Sequence, residues 1–389
     1  MEAHIAVQEQ GPDAWQIPDL EEVLDGARVV SLLLRTRFRG QTERQALLME
    51  GPKGWGEFSP FPEYGAQESS HWLRAGLEAG WRGWGAPLRT HVPINATMPA
   101  VAPDQVESVL RRFGALESIP AVKIKVAEPG QTLADDLARF REVRRLVPEA
   151  GLRADANGGW SIAEAVPALA ALAEAAEGRF EYAEQPVAGV EPLAELREAL
   201  AAAGVITSAG APLRIAADEA VRKAEDPLRV ARLGAADLIV VKVPPLGGVD
   251  RALRIVEQSG LDAVVSSALD TSVGLAAGLA LAARLPHLPY ACGLGTAALF
   301  TEDVLRSPLI PVGGALRVPG AVVPSADLLQ RHEVGGPRAD WWFDRLRAAH
   351  AVLAADQQAR ERASADAGSG AGPDADLTAG ADRRPGRSF

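Results

Sequence analysis

Apolar and polar residues change their spacing twice along this chain. Between residues 29 and 60, two runs rich in β-forming residues flank "GPKG" (51–54), which predicts a small meander closed by a turn. The "PFPEYG" that follows (60–65), with two prolines and a glycine, reads as an exposed loop. From residue 92, short apolar runs alternate with Ala-, Leu- and Arg-rich stretches of helical spacing, the pattern of repeated βα units around a parallel sheet.

Eight such runs can be read: "VPINATM" (92–98), "AVKIKV" (121–126), "GLRADAN" (151–157), "RFEYAEQPV" (179–187), "LRIAADEA" (213–220), "DLIVVKVP" (237–244), "DAVVSSAL" (262–269) and "PYACGLGT" (289–296). "LADDLARFREVRRLV" and "GVDRALRIVEQSG" are among the helices between them. Eight units in this length suit an α/β fold of (β/α)8-barrel type, although an open doubly wound sheet also alternates in this way and the eighth run is the weakest. The expected organisation is a small α+β capping domain over 1–90, the barrel over 91–312, and a return to the capping domain with a closing amphipathic helix over 313–358. The tail at 359–389, poor in apolar bulk, is expected to be disordered.

Composition narrows the partners. The chain has 389 residues, 47% hydrophobic and 23% charged, so it can bury a sizeable core. A net charge of -11 and a pI near 5.2 argue against nucleic acid or an anionic membrane surface, and leave open a small anionic ligand in a locally basic pocket. The most apolar stretch, residues 271–290, is broken by Arg284 and Pro286 and is too short to cross a bilayer of about 30 Å, so no membrane insertion is expected. The one cysteine, Cys292, and a start without the basic and then apolar pattern of a secretory signal suggest a cytoplasmic setting. Oligomeric state is left undetermined.

Within "AVKIKV", period-two alternation puts Lys123 and Lys125 on one face and Val122, Ile124 and Val126 on the other. Alone, this describes a solvent-facing amphipathic strand. The next three runs change the reading, because they end in Asp155, Glu184 and Asp218, and neighbouring strand ends of a barrel converge on its mouth. A single acidic residue there is often a helix N-cap; three in register repel one another and suit a hard divalent cation, for which Mg2+ is the best match. Glu181 and Glu219 are rival ligands ranked lower, Glu219 because it faces opposite Asp218 if the strand persists.

Lys242 ends the sixth run, four strands from Lys125 across the barrel; the alternative is a snorkelling surface lysine. Arg153, two before Asp155, is a candidate for binding a substrate carboxylate, its alternative being an internal ion pair. A cation on a substrate carboxylate with a lysine to one side fits removal of the α-proton, with Lys123 and the cation favouring the neutral amine at Lys125.

K-x-K, D-A-N, E-Q-P, D-E and K on five successive strands resemble the enolase superfamily, in its muconate-lactonizing subgroup. Flanking stretches such as "GWGEFSPFPEYG" and "SSALDTSVGLAAGLALAA" resemble the actinobacterial o-succinylbenzoate synthases within it. The resemblance implies a Mg2+-dependent lyase of menaquinone biosynthesis that dehydrates 2-succinyl-6-hydroxy-2,4-cyclohexadiene-1-carboxylate to 2-succinylbenzoate. It implies Lys125 as base and then acid on one face, Lys242 as electrostatic support on the other, Asp155, Glu184 and Asp218 as ligands, and Asn157 as a nearby polar support. Ser266 and Ser267, before a helix start, are candidates for the substrate carboxylate or simple N-caps. A racemase of N-succinylamino acids or a dipeptide epimerase is the alternative on the same fold, and a Schiff-base aldolase using Lys242 a remoter one.

Overall fold

The computed structural model describes residues 15–38, 41–207, 210–221 and 226–369. Strands β1 (Arg28–Phe38), β2 (Gln41–Gly51) and β3 (Gly54–Phe58) form the antiparallel meander, ordered β1-β2-β3. The helix Ala66–Leu77 packs on it, and Gly56 and Gly76 let the two backbones touch: a Cβ on Gly56 would lie 2.0 Å from the Gly76 carbonyl oxygen. A short strand β4 (His91–Pro93) pairs antiparallel with β12 (Ala315–Arg317), which ties the chain after the barrel back to its start.

The parallel sheet comprises β5 (Ala96–Met98), β6 (Ala121–Lys125), β7 (Gly151–Asp155), β8 (Phe180–Glu184), β9 (Ile215–Ala217), β10 (Leu238–Val241) and β11 (Asp262–Val265), hydrogen-bonded in chain order. The eighth run supplies no full strand. Cys292 bridges to Ile94 and Gly293 to Ser266, both parallel, and these two residues close the ring between β11 and the start of β5. Gly293 fits closely there, since a Cβ would sit 2.6 Å from Ser266 Oγ; Pro289, Gly293 and Gly295 also weaken this run as a strand.

Alternation sorts each strand into two faces. Val122, Ile124, Ala183, Ile215, Ala217, Ile239, Val241, Ala263 and Val265 join the main core between sheet and helices. Tyr182, Ala216, Leu238, Val240 and Val264 form a separate cluster inside the barrel. Each fully buried aliphatic side chain contributes about 1.5–3 kcal/mol, so the register that keeps this sorting is strongly held. Two of the surrounding helices start with reciprocal caps, Thr132 with Asp135 and Ser161 with Glu164.

The helix Pro337–Ser369 returns to the N-terminal meander, where Trp342, Leu346, Ala349 and Leu353 share a core with Leu47, Phe58 and Trp72. It runs past residue 358, where the sequence suggests that the disordered tail begins. Ala, Arg, Gln and Glu are strong helix formers, and Gln357 donates to Glu361 one turn on at 2.9 Å. Residues 370–389 of that expected tail lie outside the described residues. The "PFPEYG" stretch also differs from expectation: Pro60 and Phe61 are buried, and Phe61 packs edge-on against Trp72 with ring centres 5.8 Å apart.

Candidate active site

Strand register brings the polar strand ends together. Lys125 stands opposite Asp155, and Asp155 opposite Glu184, on three adjacent strands. Asp218 follows the last residue of β9, and Lys242 the last residue of β10. All five are buried, as is Lys123.

Charges so placed must pair. Lys123 Nζ donates to Glu184 Oε1 at 2.8 Å and lies 3.1 Å from Asp155 Oδ2. Lys125 Nζ donates to the same Asp155 oxygen at 2.6 Å and to Asn157 Oδ1 at 2.5 Å. Lys242 donates to Asp218. Burial pulls the Lys123 pKa down, but Glu184, Asp155 and Asp218 outweigh it and hold the ammonium above its ordinary value. Burial, followed by Asp155 and Asp218, pushes Glu184 up to about 7.

Among the described residues, no three His, Cys, Asp or Glu side chains form a ready-made cation site, because ammonium groups lie between the carboxylates. The donors nevertheless fit a hard cation. Glu184 Oε2 is buried with no hydrogen-bond partner, and three carboxylates with oxygen donors only are the set that Mg2+ takes.

Above this cluster opens a pocket lined by Lys123, Lys125 and Lys242, by Thr97, by Ser266 and Ser267, and by Phe61 from the N-terminal region. Phe61 lies under the Arg44 guanidinium, 4.6 Å from ring centre, and Arg44 donates to the carbonyls of Ser59 and Leu269. The wall of the pocket is thereby fixed from both parts of the chain. Phe61, Thr97 and Thr296 were not singled out by sequence; the one available signal was an aromatic residue between two prolines.

Two expectations need correction. Arg153 points away from the pocket: it donates to Glu181 at 2.6 Å, to Asn95 Oδ1 at 2.9 Å and to the Ala291 carbonyl at 2.7 Å, and stacks over Tyr182. It is two residues deeper in the barrel than Asp155, and its long side chain runs to the amino-terminal ends of the strands. Glu181, the rival ligand, is its partner there. The helix start after β11 is also taken. Glu57 accepts from Thr271 N at 3.1 Å, Thr271 Oγ1 at 2.6 Å and Gly274 N at 3.1 Å, while Asp303 accepts from Ser272 N at 3.1 Å. Thr271 is the N-cap of the helix Ser272–Arg284, and Ser266 and Ser267 are not. Ser267 bonds Thr296 Oγ1 at 2.6 Å, and Ser266 donates to the Gly293 carbonyl at 3.4 Å.

A barrel with this cap matches known proteins along its length. Residues 103–322 match the model of an enolase C-terminal domain-like family and residues 29–80 that of an enolase N-terminal domain-like family. The chain belongs to the enolase superfamily. Members of that superfamily depend in general on Mg2+. Among its relatives, an o-succinylbenzoate synthase of Mycolicibacterium smegmatis is 51% identical over 337 residues, 87% of this chain and 99% of the relative. An o-succinylbenzoate synthase of Mycobacterium marinum is 50% identical over 343 residues, 88% and 98% of the two chains. In fold, the chain is similar to the muconate lactonizing enzyme of Pseudomonas fluorescens, with a TM-score of 0.64 and 18% identity over 79% of this chain and 98% of that one. It is likewise similar to 2-chloromuconate cycloisomerase of Rhodococcus opacus, with a TM-score of 0.63 and 23% identity over the same shares.

Proposed function

We propose that this enolase-superfamily member is an o-succinylbenzoate synthase, a lyase that removes water from 2-succinyl-6-hydroxy-2,4-cyclohexadiene-1-carboxylate to give 2-succinylbenzoate in menaquinone biosynthesis. The observation that carries the reading is a pair of lysines, Lys125 and Lys242, on strands four apart and lining one pocket above three carboxylates. About 50% identity to synthases over most of the chain supports the substrate. Three lysines in the lining suit a small anionic carboxylate.

Asp155, Glu184 and Asp218 are the residues to hold Mg2+. When bound, the cation supplies positive charge beside the substrate carboxylate as negative charge builds on it. Lys125, as the neutral amine, takes the proton from the carbon α to that carboxylate. The bond from the ring to the hydroxyl then breaks, its electron pair leaves with the oxygen, and the Lys125 ammonium returns the proton so that water departs. The ring gains its aromatic sextet and Lys125 is neutral again. Lys242, a cation on the opposite wall, stabilises the charge between the two proton transfers. Lys123, held charged by Glu184 and Asp155, adds positive potential beneath Lys125.

In this reading the described residues within 1–90 and 313–358 form the cap, those within 91–312 the catalytic barrel, and the setting is cytoplasmic. No helix among the described residues is long and apolar enough to cross a membrane.

The test is direct formation of 2-succinylbenzoate. Product should accumulate with Mg2+ and stop on chelation. Inversion of N-succinylamino acids with uptake of solvent deuterium, and no dehydration, would replace this reading by a racemase. Turnover that survives chelation would sink the metal-dependent scheme.

A further inference from the structure

We propose that Glu219 and Asn157 form a tether that sets the position of Lys125, so that both are positioning residues for the proton transfer. The inference rests on Lys125 being the base. Asn157 Oδ1 accepts from Lys125 Nζ at 2.5 Å, and Asn157 Nδ2 donates to Glu219 Oε1 at 3.1 Å. An amide offers its oxygen on one side and its N–H groups on the other. With an ammonium facing the oxygen and a carboxylate facing the nitrogen, only one orientation of the amide is favourable. Glu219 therefore determines which atom Asn157 presents to Lys125.

The backbone is built to hold this arrangement. Asn157 has φ +48 and Gly158 φ +75, left-handed values that Asn tolerates better than most side chains. Gln185, fully buried and itself at φ +38, joins the loops on both sides. Its carbonyl accepts from Gly158 N at 2.6 Å, and its Oε1 accepts from Asp218 N at 3.0 Å and Ala220 N at 3.1 Å. The loop after β7 and the turn after β9 are thus both fixed to one residue, the first through its backbone carbonyl and the second through its side chain.

Glu219 reaches this place because β9 ends at Ala217 and a 3-10 turn, Glu219–Val221, follows. The alternation that would send Glu219 away from the site stops before it. Asp155, which also accepts from Lys125, is a candidate cation ligand through the same carboxylate. Asn157 supplies an anchor that is independent of the cation.

The experiment compares Asn157→Leu, Glu219→Leu, Glu219→Gln and the double leucine variant. Neither position lies in the core, Asn157 being exposed and Glu219 half-buried, and folding is verified by circular dichroism. Steady-state kinetics, Mg2+ affinity by calorimetry, and trace acetylation of Lys125 read by mass spectrometry on metal-free protein are measured on each. Each leucine variant should lower kcat about 10–100-fold by letting the base drift, with KM within about twofold. Acetylation of Lys125 should rise several-fold, the double variant should be no worse than the poorer single one, and Glu219→Gln, which keeps an acceptor, should recover most of the loss. Wild-type kcat and wild-type acetylation in Glu219→Leu would overturn the tether, as would a loss confined to Mg2+ affinity. If the wild-type protein forms no 2-succinylbenzoate, the functional reading fails by itself, and the acetylation measurement still decides the tether.

Discussion

Lys123 and Glu184 meet at 2.8 Å across β7, the strand that separates theirs, both buried inside the barrel. The same ammonium touches Asp155, so one positive charge is shared between two buried carboxylates.

Removing it should therefore matter most when no cation is present. Lys123→Ala is expected to cost about 3–5 kcal/mol in metal-free protein, the usual penalty for stranding a buried charge. Saturating Mg2+ should recover much of that loss by binding the folded state alone. Denaturant unfolding with and without Mg2+ checks this; an equal loss in both would mean that the cation does not bind at these carboxylates.

Glu57 joins the N-terminal sheet to the barrel helix that starts at Ser272. Burial, followed by Asp270, raises its pKa from 4.5 to about 7, against hydrogen bonds from Thr271 and Ser59. A folded pKa above the unfolded one means that the folded state binds the proton more tightly. The stabilisation is then complete below pH 4.5 and declines as pH rises through about 7. Relative to Glu57→Gln, which does not titrate, the wild type should lose stability across that interval and level off above it. A difference that stays constant from pH 4.5 to 8 would contradict the linkage.

Arg153 is assigned to the floor of the barrel. Arg153→Leu leaves Glu181 and Asn95 without their partner and should destabilise the fold by several kcal/mol, about the 3–5 expected for a broken buried pair. Any variant protein that remains folded should retain its KM. Unchanged stability with a raised KM would return Arg153 to the substrate.

The contrast between Lys125 and Arg153 indicates how far the sequence could be read. Period-two alternation identifies which residues face inward, and it does so for β6, β7, β8 and β10 alike. It does not say whether a long side chain at an inner position runs up to the mouth or down to the floor. That depends on partners such as Ala291 and Asn95, more than fifty residues away in the chain. Glu57 was hidden for the same reason, since its donors lie 214 and 217 residues further on. The place of Glu219 beside Asn157 is not legible because alternation holds only while the strand lasts, and β9 stops two residues earlier. Composition hid Phe61: prolines mark a loop but do not reveal that the loop folds inward over the pocket.

The central claim is that Lys125 moves the proton, and Lys125→Ala tests it most directly. The variant lacks the base and no metal ligand, so it should fold, bind Mg2+ with near wild-type affinity, and form no measurable 2-succinylbenzoate. Near-normal turnover in that variant would contradict the account.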